Sequence, residues 1–424
     1  MHPEALRGWT VSQSRLDRLS KLKKSVCGDM GRWRRSWHAC SKENHLRIID
    51  LQTHHVGRYL FVSVHTDAGI SGLGEAGAWA YLDAVDAVLQ KWRGYLIGQD
   101  AARIEHHWQY LYQSTFFRSS VVMSALAAVD VALWDIKGKD LGVPVYDLLG
   151  GRTRDRARSY APVLGETPEE MAAECVRLQR AGFTAARLIL PSFAHDHWER
   201  GAESYAHRVD QAVSQVLACR EAVGPAFDLC VEAHRSLSVP EAIAVGRGIE
   251  PARPLFFEDP IAPDSPDAMA EVARAVPVPI ATGERAISIH EIQDLLTRGA
   301  ARYVRPDVCA VGGLTPARKI AAMAEAHYVS IAPHNPLGPV STAASLHLDA
   351  SVPNFLIQEH PSFNIDGSED AMVKNPLRFE DGYIAVPDAP GIGVELAADA
   401  ETAFPAAPRD LTPAFAFDGS VQVR

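Results

Sequence analysis

Three glutamates recur at a fixed interval in this chain of 424 residues. Glu232, Glu258 and Glu284 are each separated by 26 positions. Asp307 follows 23 residues later, His334 a further 27 and Glu359 a further 25. One strand–helix unit of a compact parallel barrel takes about 25 residues, so each of the six occupies the same place in its own unit. That place is the C-terminal end of a strand, the catalytic face of a (β/α)8 barrel. Carboxylates drawn so close repel one another and raise each other's pKa unless a cation neutralises them. An all-oxygen donor set suits a hard ion, Mg2+ first and Mn2+ second. A single glutamate at a strand end is ordinarily a helix cap or an ion-pair partner. The shared phase of six such residues carries the metal-site reading.

His234 lies two residues beyond Glu232, so a continuing strand points it to the same side, where it can act as acid or base. Asp307 and His334 end consecutive strands and can form a carboxylate–imidazole pair, the arrangement a general base needs. His54, His55, His106, His107, His195 and His197 lack this phase and read as solvated or structural.

The elements that must position these groups are readable in outline. Residues 46–51, 58–65 and 70–75 read as three strands of a meander, the second alternating and rich in β-branched and aromatic residues. From Asp83 to about Asp147 the period becomes helical, with Ala125, Val129, Ala132 and Leu133 along one face of a long helix. Beyond Arg158, eight short apolar runs alternate with helical stretches such as 168–181 and 209–223. The runs span 159–163, 185–190, 228–233, 255–258, 278–283, 303–305, 329–332 and 355–358. Eight such repeats call for a closed parallel barrel or a doubly wound sheet.

Composition narrows the function classes. Hydrophobic residues make up 47% and the formal net charge is −10, so a nucleic-acid partner is disfavoured. No apolar run reaches 18 residues, so no membrane span is expected. Six dispersed cysteines without a CxxC pair read as reduced thiols of a cytoplasmic protein. Residues 1–45 hold ten Lys/Arg against four Asp/Glu, which leaves −16 on the remainder. This basic extension has no secretory apolar core and reads as a disordered tail. Organelle targeting, or a later start at Met30, are its alternatives.

A resemblance adds to this reading. The chain resembles the enolase superfamily in its mandelate racemase-like branch, and within it the galactonate dehydratase-like sugar-acid dehydratases. In the N-terminal part it rests on Gly72-Leu73-Gly74-Glu75, residues 95–100 and residues 132–139. In the barrel it rests on Phe257-Glu258-Asp259-Pro260, Gly283-Glu284-Arg285, Arg305-Pro306-Asp307 and Gly312-Gly313-Leu314-Thr315. Residues 332–339, Gln358-Glu359 and residues 390–395 complete it. The resemblance implies an α/β fold, a modified TIM barrel (β/α)7β with an α+β capping domain. Residues 46–155 would form the cap, 156–370 the barrel, and 371–424 would complete the cap. It implies one Mg2+ per subunit on Glu232, Glu258 and Glu284, and a homo-oligomer. The His334–Asp307 dyad would take the proton α to a carboxylate, and His234 would protonate the departing β-hydroxyl. Glu359 would hydrogen-bond the enolate oxygen. The meander loop around His54–Tyr59 is expected to close over the site, with Arg58 and Tyr59 as substrate contacts.

Two departures stand out. Racemising and lactonising relatives commonly carry Lys-x-Lys in the second barrel strand, where this chain has Arg187 and Ile189. That removes a second base and leaves Arg187 to neutralise the site. Relatives of the dehydratase type usually have Asp where Glu232 stands, and the extra methylene shifts the carboxylate by about 1.5 Å. The expected activity is dehydration of an aldonate such as galactonate or gluconate to a 2-keto-3-deoxy acid. A sugar-acid epimerase or lactone cycloisomerase is the alternative, as is a catalytically weakened binding homologue.

Overall fold

The structure is a computed structural model that describes residues 46–78, 80–190, 204–361, 367–409, 414–415 and 419–422. The chain divides into two units, Met1–Leu46 and Arg47–Arg424. The basic extension, His195 and His197 lie outside the described residues.

The second unit opens with β1 (Ile48–Val56), β2 (Tyr59–Thr66) and β3 (Ser71–Glu75), antiparallel in that order, as the meander expectation requires. The central strand is buried on both faces over Tyr59–Val62 rather than on alternate residues. Its Tyr59 and Phe61 pack in one core with Met372, Val373 and Ile392 of the C-terminal segment. Three helices follow: α1 (Leu82–Leu96), α2 (Ile104–Ser114) and α3 (Ser120–Leu141). α3 starts at the Ser119 cap, whose side chain accepts from Val122 N–H, and stops at Gly142 in the left-handed region. The sequence suggests one apolar face for α3, but the helix is buried on nearly every face. It packs against β3, α1, α2 and the barrel together, so no polar face is required.

β3 lies directly on the α3 backbone. A Cβ at Gly72 would sit 2.0 Å from the Ala132 carbonyl oxygen, and one at Gly74 would sit 1.9 Å from that of Ala128. Glycines on the strand and alanines on the helix therefore bring the two backbones into contact. Gly74→Ala is expected to destabilise the protein by about 3 kcal/mol, at the upper end of overpacking costs. A shift of the denaturant midpoint at unchanged slope checks this.

After the short α4 (Val145–Leu148), strands and helices alternate: β4 (Arg156–Val163), α5 (Pro168–Arg180), β5 (Ala185–Ile189), α6 (Tyr205–Val223), β6 (Asp228–Glu232), α7 (Val239–Gly248), β7 (Phe256–Glu258), α8 (Pro266–Ala275), β8 (Ile280–Thr282), α9 (Ile289–Arg298), β9 (Tyr303–Val304), α10 (Leu314–Ala326), β10 (Ser330–Ile331), α11 (Pro339–Ser351) and β11 (Gln358–Glu359). β4 to β10 form one parallel ladder in sequence order. A parallel bridge from Ile331 to Phe355 and the pairing of β11 with β4 close it into a (β/α)7β barrel. Strands covered by helices outside and side chains inside must be apolar without alternation, as in Leu255-Phe256-Phe257.

Among the described residues no α-helix lies between β11 and residue 371. β12 (Phe379–Glu380) and β13 (Tyr383–Ala385) form a hairpin that adds antiparallel to the start of β4. The chain then returns to the N-terminal layer. Ile392 N–H donates to the buried Asp135, and Gly57 N–H donates to the Phe404 carbonyl at the end of α12 (Ala400–Ala403). Residues 371–424 thus contribute to both layers. The four described cysteines, Cys175, Cys219, Cys230 and Cys309, are free and buried. Among the described residues no helix is long and apolar enough to cross a membrane.

Candidate active site

Parallel pairing sets the three glutamates side by side. Glu232 and Glu258 are register partners that end β6 and β7, and Glu284 lies two residues past β8. One carboxylate oxygen from each lies within 4.8 Å of the other two. Glu232 and Glu258 are fully buried, and Glu284 is nearly so. Glu232 Oε2 and Glu258 Oε2 have no hydrogen-bond donor. Buried carboxylate oxygens without donors are costly and call for a cation. The set fits a hard divalent ion.

Electrostatics points the same way. Burial pushes Glu232 up to about 7, helped by the charge of Glu284. Burial also raises Glu258 well above the usual carboxylate range, despite Arg305 beside it. Burial acts on Glu284 too, but His334, Arg235 and Arg305 outweigh it and hold that carboxyl well below its ordinary value. Three guanidiniums, Arg187, Arg235 and Arg305, face five carboxylates: Glu232, Glu258, Asp259, Glu284 and Glu359. The cluster is short of positive charge by about the amount one divalent ion supplies.

The expected dyad is formed. His334 Nδ1 lies 2.8 Å from Asp307 Oδ2, and Asp307 Oδ1 accepts from the N–H groups of Cys309 at 2.8 Å and Ala310 at 3.1 Å. Nε2 faces Glu284 Oε2 at 3.5 Å, and in the neutral ring, with the Asp307-facing nitrogen protonated, it is Nε2 that carries the lone pair. Burial alone would lower the His334 pKa, but Glu284 and the Asp307 hydrogen bond raise it to about 9.

His234 arrives by a different route from the one the sequence suggests. β6 ends at Glu232 rather than continuing, and His234 (φ 47°) and Arg235 (φ 64°) form a left-handed turn. The turn lets His234 N–H donate to Glu232 Oε1 at 2.6 Å. His234 still comes close enough for its charge to be felt at Glu284. Asp259, at φ 36°, is strained in the same way. Such residues cost about 1–3 kcal/mol each and gather at sites that need a fixed geometry.

Glu359 has both oxygens engaged. Oε1 faces Arg187 Nη1 at 3.0 Å, and Oε2 accepts from Arg305 Nη2 at 2.7 Å and Asn335 N–H at 3.0 Å. Burial opposes ionisation, but Arg187, His334 and Arg305 hold Glu359 at about 2. An ionised carboxylate accepts hydrogen bonds and does not donate them, so this arrangement does not supply the donor expected for an enolate oxygen. Arg187 Nη1, also 3.7 Å from Glu232 and from Glu258, is a cationic donor at the same place.

Tyr59 is placed elsewhere. It is buried in the core with its hydroxyl donating to Glu369 Oε2 at 2.7 Å, and the Arg58 guanidinium lies 5.7 Å from its ring centre. Sequence reasoning assigned no role to Arg305, which joins Glu258, Glu359 and the Tyr160 hydroxyl. Its position two residues before Asp307, on the same inward side, is the signal for it. Arg235, bonded to Glu284 and 3.6 Å from Asp259, has no such signal.

Comparison with known proteins agrees with this geometry. Residues 41–150 match the family model for the mandelate racemase/muconate lactonizing enzyme N-terminal domain, and residues 170–400 match that for the enolase C-terminal domain-like fold. The chain belongs to the mandelate racemase/muconate lactonizing enzyme family of the enolase superfamily. Within it, the chain is 40% identical over 359 residues to a D-galactonate dehydratase of Ralstonia nicotianae, covering 83% of this chain and 92% of that protein. It is 38% identical to a D-galactonate dehydratase of Xanthomonas euvesicatoria, with the same coverage. Among solved structures, an enolase from Agrobacterium radiobacter bound to sodium and L-malate superposes with a TM-score of 0.83 at 30% identity. The match covers 89% of this chain and all of that one. A mandelate racemase/muconate lactonizing enzyme from a Sulfitobacter species gives 0.80 at 34%, covering 87% and 98%. These matches, which cover 83–89% of this chain, make the N-terminal layer and barrel those of the superfamily's capped, modified TIM barrel.

Proposed function

We propose that the chain dehydrates an aldonate such as galactonate or gluconate to a 2-keto-3-deoxy acid, with Mg2+, or Mn2+ in its place, held by Glu232, Glu258 and Glu284. At the coarser level it is a hydro-lyase of the enolase superfamily acting on a sugar acid, as its curated dehydratase relatives are. The observation that carries the finer reading is the His334–Asp307 pair, whose second ring nitrogen faces the three-carboxylate cluster.

A divalent ion on those carboxylates supplies Lewis-acid stabilisation of a substrate carboxylate as it gains enolate charge, worth several kcal/mol. His334 Nε2 takes the α-proton, with Asp307 fixing the ring's tautomer and sharing the new positive charge. Arg187 adds a cationic donor beside the growing charge, and Glu359 with Arg305 keeps that guanidinium in place. The C–O bond at the β-carbon then breaks, and His234 gives the departing hydroxide its proton, releasing water. The enol left behind tautomerises to the 2-keto-3-deoxy acid. Sodium and L-malate, a 2-hydroxy acid, in the Agrobacterium relative support a site for a cation together with such an acid. Two-base racemisation is disfavoured, because Arg187, surrounded by Glu359, Glu258 and Glu232, stays protonated.

The test is a panel of aldonic and aldaric acids with Mg2+, read by semicarbazide absorbance of 2-keto acids. Turnover of an aldonate is expected. A fully inactive panel alongside intact Mg2+ binding would sink the dehydratase reading.

A further inference from the structure

Among the described residues seven α-helices follow barrel strands, and they begin in two different ways. Five are preceded by their own Ser or Thr: Thr167, Ser204, Ser238, Ser265 and Ser288. Such side chains accept from the first-turn N–H groups that have no partner within the helix. The other two, α10 and α11, begin at Gly313 and Gly338, which have no side chain to offer. These two helices follow the loops that carry Asp307 and His334, three residues past the ends of β9 and β10.

Both borrow a carboxylate from the N-terminal domain. Glu75, the last residue of β3, is fully buried and accepts from Gly338 N–H at 2.6 Å and Ser341 N–H at 2.8 Å. Asp130 on α3, 2% exposed, accepts from Thr315 N–H at 3.0 Å and Thr315 Oγ1–H at 2.6 Å. The glycines are what let the carboxylates in. A Cβ would lie 2.9 Å from Glu75 Oε1 at Gly338 and 2.3 Å from Asp130 Oδ2 at Gly313. Burial raises Glu75 to about 8 and Asp130 to about 7, so it is their acceptor oxygens, not a full charge, that cap these helices.

The link to the dyad is short. Only Asn335, Pro336 and Leu337 separate His334 from Gly338. Asn335 ties that loop to Glu359 through its N–H and to Thr342 through its side chain at 2.8 Å. Glu75 is also close enough to Asp307 to be affected by its charge. Each end of the dyad is therefore anchored to the N-terminal domain through the helix that follows it.

We propose that Glu75 and Asp130 are positioning residues through which the N-terminal domain sets the His334–Asp307 geometry, by capping the two helices whose own sequence provides no cap. The proposal rests on the dehydratase reading, in which that dyad is the base. Its role is kinetic: a base displaced by about 1 Å can lose two orders of magnitude in rate.

The test uses the full-length Mg2+ enzyme with Glu75→Gln and Asp130→Asn, which keep size but place an amide donor against an N–H donor. Each is expected to lower kcat by about 10- to 100-fold with KM within about threefold. Amide hydrogen exchange should rise at 335–341 for the first and 312–316 for the second. Thr167→Ala, which removes a helix cap far from the dyad, controls for general destabilisation and should leave kcat unchanged. Gly338→Ala probes the same contact from the other side. Its backbone (φ −84°) accepts alanine, so the Cβ clash with Glu75 is the perturbation, and kcat should again fall. Equal kcat losses in Thr167→Ala and Glu75→Gln would overturn the proposal, as would faster exchange at 335–341 with kcat intact. Absence of turnover in the wild type would instead overturn the dehydratase reading.

Discussion

Replacing His334 with asparagine is expected to lower kcat by about 10^3-fold and to abolish exchange of the α-proton with deuterated solvent, while Mg2+ affinity stays within a few-fold. The rate figure is that of a general base removed from a site whose other parts remain. The fold should survive. Asp307 keeps its two backbone donors at Cys309 and Ala310, and the asparagine amide can still donate toward Oδ2. Persistent α-proton exchange in this variant would refute the base assignment.

The same variant has a stability signature in the metal-free protein. His334 is held at about 9 in the fold against about 6.5 in an unfolded chain. A raised pKa means the folded state binds the proton more tightly. Its contribution is complete below pH 6.5 and is lost as pH rises through 9. The difference amounts to about 3 kcal/mol at most. The melting temperature of metal-free wild type should therefore fall between pH 6.5 and 9 more steeply than that of His334→Asn. Parallel curves would show that the imidazolium is not held as the geometry indicates.

The site residues that can be read from sequence share one property: the barrel turns a sequence interval into a common face. Glu232, Glu258, Glu284, Asp307, His334 and Glu359 follow that beat because parallel pairing keeps strand ends level. Arg305 was within reach of the same logic, just past the end of β9 and two residues before Asp307. Arg235 and Asp259 were not, because left-handed turns after β6 and β7 place them and no periodicity marks such turns. His234 is reached by that turn, not by strand alternation. Tyr59 shows a different limit. The hairpin that carries it is local and legible, but its partner Glu369 is 310 residues away. α3 fails the amphipathic expectation for a packing reason. Gly72 and Gly74 bring a strand onto one side while the other helices cover the rest, so its faces cannot be told apart by polarity. The borrowed caps of α10 and α11 combine both limits. The glycines are visible in the sequence, but the carboxylates that explain them come from another domain.

Mg2+ is expected to stabilise the wild type by about 2.7 kcal/mol at a hundredfold excess over Kd, a rise of roughly 5 °C in melting temperature. Glu258→Gln should lose both this shift and the turnover. The pH dependence has a definite sign. Glu232 is raised to about 7 and Glu258 is also raised, so the metal-free site holds protons that binding must displace. The Mg2+-induced shift should therefore shrink as pH falls below 7 and grow as pH rises above it. A shift independent of pH from 5 to 8 would count against these carboxylates as the ligands. Glu232 makes the sharper case. Its Oε1 accepts from His234 N–H while Oε2 remains without a hydrogen-bond donor, so the left-handed turn absorbs the extra methylene and leaves one oxygen for the ion. Glu232→Asp is then expected to weaken Mg2+ binding in this chain, against the expectation from the resemblance that aspartate suits this position. Calorimetric titration decides between the two views. Tighter binding in Glu232→Asp, with none in the wild type, would mean that the turn does not compensate and that the chain is a weakened homologue.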